Sequence, residues 1–155
     1  KKKKLEAEHK IEYCFFYGKM ERDAYDKLFS QFAALLEKRF DEKRVHNNNL
    51  HNWHYYQELV YPLLLTKRAS LFVIYDKEQP INIALHFHLE DTVFSYIQTY
   101  DIAYSDYNMG DIGILKRLEL FFYLGVKTID LSMGTTDYKI KWCNYPYHLY
   151  FHLLH

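Results

Sequence analysis

Cysteine is scarce: Cys14 and Cys143 are the only two in 155 residues. They lie far apart with no metal-like grouping around either, which excludes a disulfide framework and makes a reducing, cytoplasmic setting the expectation. Cys14 sits in an apolar run and reads as core. Net charge is missing as well, since 20 Lys and Arg balance 20 Asp and Glu. No general attraction to nucleic acid or to a membrane surface follows, and neither is expected as a partner. The one basic run, Lys1 to Lys4, is followed by Glu6 and Glu8 and reads as the solvated end of a helix. No apolar run approaches the ~18 residues that a membrane span needs, and no stretch has the pattern of a signal peptide. Repeats and low-complexity linkers are absent. The length suits one domain with a real core and is short for two, so residues 1–155 are expected to form a single domain. The chain starts without Met and stops at Leu153-Leu154-His155 within what reads as a strand, so it is expected to be a segment of a longer protein.

What the sequence has in quantity is aromatic surface: 16 Tyr and 11 Phe, in a composition that is 49% hydrophobic. Such a chain buries a core and is not disordered. Ile11 to Tyr17 is short, aromatic and β-branched, and is bounded by Gly18: a strand. From Asp23, a candidate N-cap, the period changes. Tyr25, Leu28, Phe29, Phe32, Leu35, Leu36 and Phe40 recur at helical spacing. The run Asn47-Asn48-Asn49 breaks this helix, and a second follows with Trp53, Tyr56, Leu59 and Val60 on one face, ended or kinked by Pro62 near Tyr61. Leu71–Tyr75, Ile81–Leu89 and Val93–Thr99 are three strands in quick succession. In the middle one Ile83, Leu85, Phe87 and Leu89 share one face, and Asn82, Ala84, His86 and His88 the other. Residues 110–124 predict a helix with Ile114, Leu115, Leu118, Phe121 and Phe122 as its buried stripe, stopped by Gly125. Residues 126–131 predict a strand, and residues 147–154 another. The order β-α-α-β-β-β-α-β-β implies an α+β domain, a mixed sheet covered by helices.

The start of the helix at Gly110 is where chemistry can sit. Asn108 can cap it, Gly110 admits close approach of a ligand to backbone, and Asp111 stands where a capping-box acid would. The N–H groups and partial positive charge of a helix N-terminus suit a pyrophosphate. Asp111 opposes that reading, because its charge would repel a phosphate.

The rest of the segment forms an ordered series: Tyr100-Asp101, Tyr104, Asn108-Met109-Gly110, Gly125, Asp130 through Gly134, then Tyr138-Lys139 and Trp142. This series resembles the acetyltransferase domain of the CelD-like, FemAB-related branch of the GNAT superfamily, and the resemblance runs over almost the whole chain. It departs from the family at Asn108-Met109-Gly110, where a Ser-Pro-Gly is usual, and in lacking the classical Arg/Gln-x-x-Gly-x-Gly/Ala phosphate loop. The resemblance implies a GNAT fold truncated before its last strand, with acetyl-CoA as donor, its phosphates at Tyr100, Asn108, Met109, Gly110, Asp111 and Ile112. It implies transfer of the acyl group by direct attack to an amine or hydroxyl of a small molecule or saccharide, with polysaccharide synthesis as a setting. Tyr138 and Lys139 match the family's Tyr-Lys beside the acyl or acceptor site, where they can stabilise an oxyanion. Asp130 can hold that loop by hydrogen bonds. The general base is open among His86, His88 and Asp101. A His-x-His pair can also bind metal, but no third ligand stands out, so no metal is expected. Two other readings remain: FemAB-type aminoacyl transfer to a cell-wall precursor, and a non-catalytic GNAT-like binding domain.

Overall fold

A computed structural model describes residues 2–43 and 48–130, with nothing stated for the side chains of residues 40–49. A short helix, α1 (Lys2–Glu8), leads into β1 (Ile11–Phe16), followed by the long α2 (Arg22–Lys43). A single helical turn, α3 (Asn48–His51), precedes α4 (Trp53–Leu65). Three strands come next, β2 (Ala69–Asp76), β3 (Gln79–Leu89) and β4 (Thr92–Tyr100), and then a 3-10 segment over Ile102–Tyr107. Helix α5 (Met109–Tyr123) crosses over to β5 (Thr128–Asp130).

The sheet order is β1-β2-β3-β4-β5. The first four strands are antiparallel neighbours, β2 to β4 as a hairpin meander with β1 added at its edge, and β5 lies parallel to β4, as a strand must when a helix carries the chain back across the sheet. Tight turns with positive φ at Lys77 and Glu90 close the two hairpins. Both sheet faces are buried, so β2 reads as a near-continuous apolar run. On one face Leu71, Val73, Ile83, Leu85 and Ile97 meet Leu28, Phe29, Phe32 and Leu36 of α2 and Val60 and Leu64 of α4. On the other, Phe72, Ile74, Ile81 and Ala84 meet Leu5 of α1 and Met109 and Ile112 of α5. The register slips at Tyr75 and leaves Ile81 unpaired on β3. That bulge puts Ile81 and Asn82 on the same, α5-facing side, which strict alternation would forbid.

Four expectations need correction. Helix α2 begins at Arg22, so Asp23 lies inside its first turn and does not cap it. Pro62 does not end α4, which runs on to Leu65. Its missing N–H removes one bond of the ladder, and packing compensates: Leu64 is fully buried and the Tyr61 hydroxyl donates to the Met20 carbonyl at 2.8 Å. Leu59, expected beside Val60, is exposed. On α5 the buried stripe is Met109, Gly113, Arg117 and Phe121, with Ile112 and Ile114, while Phe122 is 85% exposed. The charged Arg117 obscures that four-residue spacing, and the apolar Phe122 mimics a core residue. Leu131 and the strand expected at residues 147–154 fall outside the described residues, as do Gly134, Trp142 and Cys143.

The revised stripe makes a direct prediction for chemical denaturation. Phe121→Ala should cost about 3–5 kcal/mol, as for a buried aromatic, whereas Phe122→Ala should stay within about 0.5 kcal/mol of the parent. Equal losses would restore the expected stripe.

Candidate active site

At Tyr100 the chain leaves β4, turns through the 3-10 segment and enters α5. Between that strand end and the helix lies a cleft of about 220 Å³. Asn108, Met109, Gly110 and Asp111 border it from the helix, and Gln98, Thr99 and Tyr100 from the strand, with Asn82, Arg39 and Arg117 completing the wall. Gly110 faces open space, since a Cβ placed there would meet nothing within 4 Å. Its own helix offers no acceptor to the N–H groups of this first turn; the ladder starts with Ile112 N–H donating to the Asn108 carbonyl at 3.2 Å.

Asn108 holds the N-cap position but makes no side-chain cap bond. Its backbone is left-handed, φ 59° and ψ 53°, whereas a capping side chain needs extended backbone; Asn is the non-glycine residue that tolerates this conformation best. The side chain turns instead to Asp111, Nδ2 donating to Oδ2 at 2.7 Å. A cation stands across the cleft: the Arg39 guanidinium lies 4.5 Å over the Tyr100 ring. Asp101 is engaged at the rim, accepting from Ala103 N–H at 3.0 Å as the cap of the 3-10 segment and pairing with Lys38 at 3.0 Å.

Beneath the cleft runs a buried polar chain. Arg117, 5% exposed, donates from Nε to the Gly113 carbonyl at 3.2 Å and from Nη1 to Ser95 Oγ at 3.0 Å. Nη1 also lies 3.2 Å from His86 Nε2, and Nη2 donates to Gln98 Oε1. Because a guanidinium only donates, His86 Nε2 must carry a lone pair and the proton must sit on Nδ1. Nδ1 lies 3.2 Å from Ser70 Oγ, which in turn is 2.7 Å from His88 Nε2. Phe121 meets both imidazoles edge-on, and Tyr17 stacks on His88 with centroids 4.7 Å apart. Burial, then the nearby Arg117 charge, holds His86 well below the ordinary histidine pKa, and burial lowers His88 to about 4.

The structure therefore gathers Tyr100, Asn108, Met109, Gly110 and Asp111 around one cleft. Ile112 does not line it: its side chain is in the core beneath α5. His86 and His88 share a face with Asn82, as their alternation requires; α5 packs over that face, His86 is fully buried and His88 partly so, and both are hydrogen-bonded to Ser70. Asp130 is buried on β5 beside Phe94 of β4. Tyr138 and Lys139 lie outside the described residues. Sequence reasoning missed Arg117, Gln98, Asn82, Ser70 and Arg39. A usable signal existed for one of them, since a basic residue on the Met109–Gly113–Arg117–Phe121 spacing must be buried with its charge. Among the described residues no group of three or more His, Cys, Asp or Glu side chains is placed to hold a metal ion, and no helix is long and apolar enough to cross a membrane.

The two histidines bind fewer protons folded than unfolded. Their contribution to stability is therefore complete above the ordinary pKa of 6.5 and is lost as pH falls from there, toward about 4 for His88. A fully buried histidine contributes a slope of at most about 1.4 kcal/mol per pH unit, and the partly exposed His88 less. Urea unfolding from pH 7.5 to 4.5 should show this slope, and His86→Gln should flatten it. An unchanged slope in that variant would show that His86 titrates alike in the folded and unfolded states, so that burial does not lower its pKa.

A family described as the acetyltransferase (GNAT) domain matches residues 1–140. No curated protein matches the chain. Solved structures share the fold at low identity. The aminoglycoside acetyltransferase meta-AAC0020 from an uncultured soil metagenomic sample, in complex with sisomicin, is 15% identical with a TM-score of 0.61, covering 92% of this chain and 96% of its own. It has also been solved with trehalose. A GCN5-related N-acetyltransferase from Ralstonia eutropha is 10% identical, with a TM-score of 0.62 and coverages of 92% and 98%. The PaiA N-acetyltransferase of Thermoplasma acidophilum, in complex with coenzyme A, is 10% identical, with a TM-score of 0.56 and coverages of 75% and 74%. Four antiparallel strands in sequence order, a crossover helix whose first turn opens on a cleft, a fifth strand parallel to the fourth, and the family match over residues 1–140 together place this chain in the GNAT acetyltransferase family.

Proposed function

We propose that the chain transfers an acetyl group from acetyl-CoA to an amine or hydroxyl of a small molecule or saccharide. The observation that carries this reading is the cleft bordered by the first turn of α5, where Gly110 leaves open space for a ligand. The residues there fit the donor's phosphates. The first turn of α5 supplies donors and partial positive charge, and Arg39 supplies a full charge from the opposite wall. Among the described lining residues Asp111 is the opposing group, and its carboxylate accepts from Asn108 Nδ2. Bound acetyl-CoA would supply the activated thioester carbon.

In direct attack the acceptor's nitrogen or oxygen bonds to the thioester carbon as the C–S bond breaks, with the acceptor proton leaving to a base and the thiolate departing. Tyr138 and Lys139 are proposed to stabilise the oxyanion or orient the acceptor, by their match to the family's Tyr-Lys. Of the candidate bases, Asp101 is already committed to Ala103 and Lys38. His86 is neutral but fully buried, and reaches the cleft only through Arg117 and Gln98. His88, partly exposed, stands one serine further on. A saccharide acceptor is supported by the sisomicin and trehalose bound to the similar fold above. The CelD-like, FemAB-related branch, with a role in polysaccharide synthesis, is the subfamily we favour, on the order Tyr100-Asp101, Gly110, Gly125, Asp130, Tyr138-Lys139.

Acetyl-CoA at ~100 times its dissociation constant should stabilise the protein by about 2.7 kcal/mol in a thermal shift. No shift at millimolar ligand would favour a non-catalytic domain. With donor and acceptor in hand, Lys139→Ala or Tyr138→Phe should lower kcat by about a hundredfold if either supports the oxyanion. Unchanged turnover in both would remove them from the mechanism.

A further inference from the structure

Away from the cleft, a chain of polar contacts ties the start of the protein to the 3-10 segment. None of the residues Ile102–Tyr107 is buried, so hydrophobic burial holds this segment only weakly. Tyr104 donates from its hydroxyl to Asp76 Oδ2 on β2 at 2.6 Å, and Tyr107 donates to Glu8 of α1. His9, in the link from α1 to β1, stands between these two bonds. Its Nδ1 lies 2.9 Å from Asp76 Oδ2, and its Nε2 lies 3.1 Å from the Tyr107 hydroxyl. The Tyr104 and Tyr107 rings flank the imidazole, with centroids 5.2 and 5.4 Å away.

Counting donors fixes the form of His9 that this arrangement needs. Tyr107 has one proton and gives it to Glu8, a bond that raises its pKa and keeps the phenol protonated. Toward His9 its oxygen can then only accept, which requires a proton on Nε2. A carboxylate also only accepts, so Nδ1 must carry a proton as well. Both bonds exist together only in the imidazolium. The Asp76 side chain is 10% exposed, and its Oδ1 meets no donor among the described residues. His9 is the cation paired with it there, and a carboxylate so buried needs such a partner. The effect reaches the cleft through the next residue along the chain. Tyr107 precedes Asn108, whose N–H donates to the Ser105 carbonyl at 3.2 Å and whose left-handed backbone opens α5.

We infer that His9 is a positioning residue for the cleft: carrying both protons, it joins Asp76 to Tyr107 and sets the turn at Asn108 on which α5 begins. Loss of either proton breaks one of the two bonds and loosens that turn. The titratable and charged groups around it are Lys4 and Glu8 of α1, Asp76 of β2, and Tyr104, Asp106 and Tyr107 of the 3-10 segment, with Asp101 at that segment's cap. The coupling of His9 to the Asn108 turn needs no ligand; its effect on donor affinity rests on the acetyl-CoA reading above.

An NMR titration of the full chain tests this, following the His9 ring nitrogens together with the backbone amides. As His9 gains its second proton, the Asn108, Met109 and Gly110 amides should shift with the same midpoint. Those shifts should vanish in His9→Gln, which cannot donate from both ends, and in Tyr107→Phe, in which His9 still titrates. Across that midpoint the acetyl-CoA dissociation constant of the parent, measured by calorimetry, should fall about threefold to tenfold relative to His9→Gln, the contribution of one hydrogen bond. The ligand's own titration is common to both proteins and cancels. Amides of Asn108 to Gly110 that ignore His9 would overturn the inference, as would an acetyl-CoA affinity that does not change across the midpoint. Shifts that survive in Tyr107→Phe would also overturn it, because charge at a distance would then be acting in place of the bond. If the shifts follow His9 as expected but the parent binds no acetyl-CoA, the acetyl-CoA reading fails and the coupling of His9 to the turn stands.

Discussion

The Arg117 guanidinium holds the crossover helix on the sheet. A buried arginine is costly to desolvate and is tolerated only when its donors find acceptors in good geometry. Here they reach the Gly113 carbonyl on its own helix, Ser95 and Gln98 on β4 and His86 on β3. The depth at which α5 sits, and with it the position of its first turn at the cleft, follows from those bonds. So does the protonation of His86, which must offer a lone pair, and in turn the direction of the chain through Ser70 to His88. Removing the cation would leave several buried acceptors unpaired, and protonating His86 would set two cations together in the core.

The strands and helices were legible because their periods differ. Runs such as Leu71–Tyr75, and the alternation of Asn82, Ala84, His86 and His88, allow few readings, and the four-residue steps from Tyr25 to Leu36 allow only a helix. The errors arose where tertiary context overrode a local rule. Pro62 sits inside α4 because Tyr61 and Leu64 are anchored on either side of it. Asn108 occupies a cap position in a left-handed conformation that turns its side chain away from the helix. Phe122 is apolar and exposed whereas Arg117 is charged and buried, an inversion that hydropathy misreads and only the four-residue spacing from Met109 to Phe121 betrays.

The candidate site was readable in part for the same reason. Tyr100 and Asn108 through Asp111 are close in sequence, so a motif could find them, and they do meet at one cleft. Arg39, Asn82, Gln98 and Arg117 come from four separate elements, and only the pairing of β3 with β4 under α5 brings them together. How the Asn82 and Gln98 amides are turned is set by the Met109 carbonyl and the Arg117 guanidinium, neighbours that a single sequence does not reveal. The family relation explains the layout of strands and helix.

The central claim is that the first turn of α5 receives the phosphates of an acetyl-CoA donor. Titration of acetyl-CoA into ¹⁵N-labelled protein tests it most directly, because the backbone N–H groups are the proposed contacts. The account predicts that the largest amide shifts fall on Met109, Gly110 and Asp111, with smaller ones at Gln98 and Tyr100. Saturable shifts centred elsewhere, or none at millimolar ligand, would contradict it.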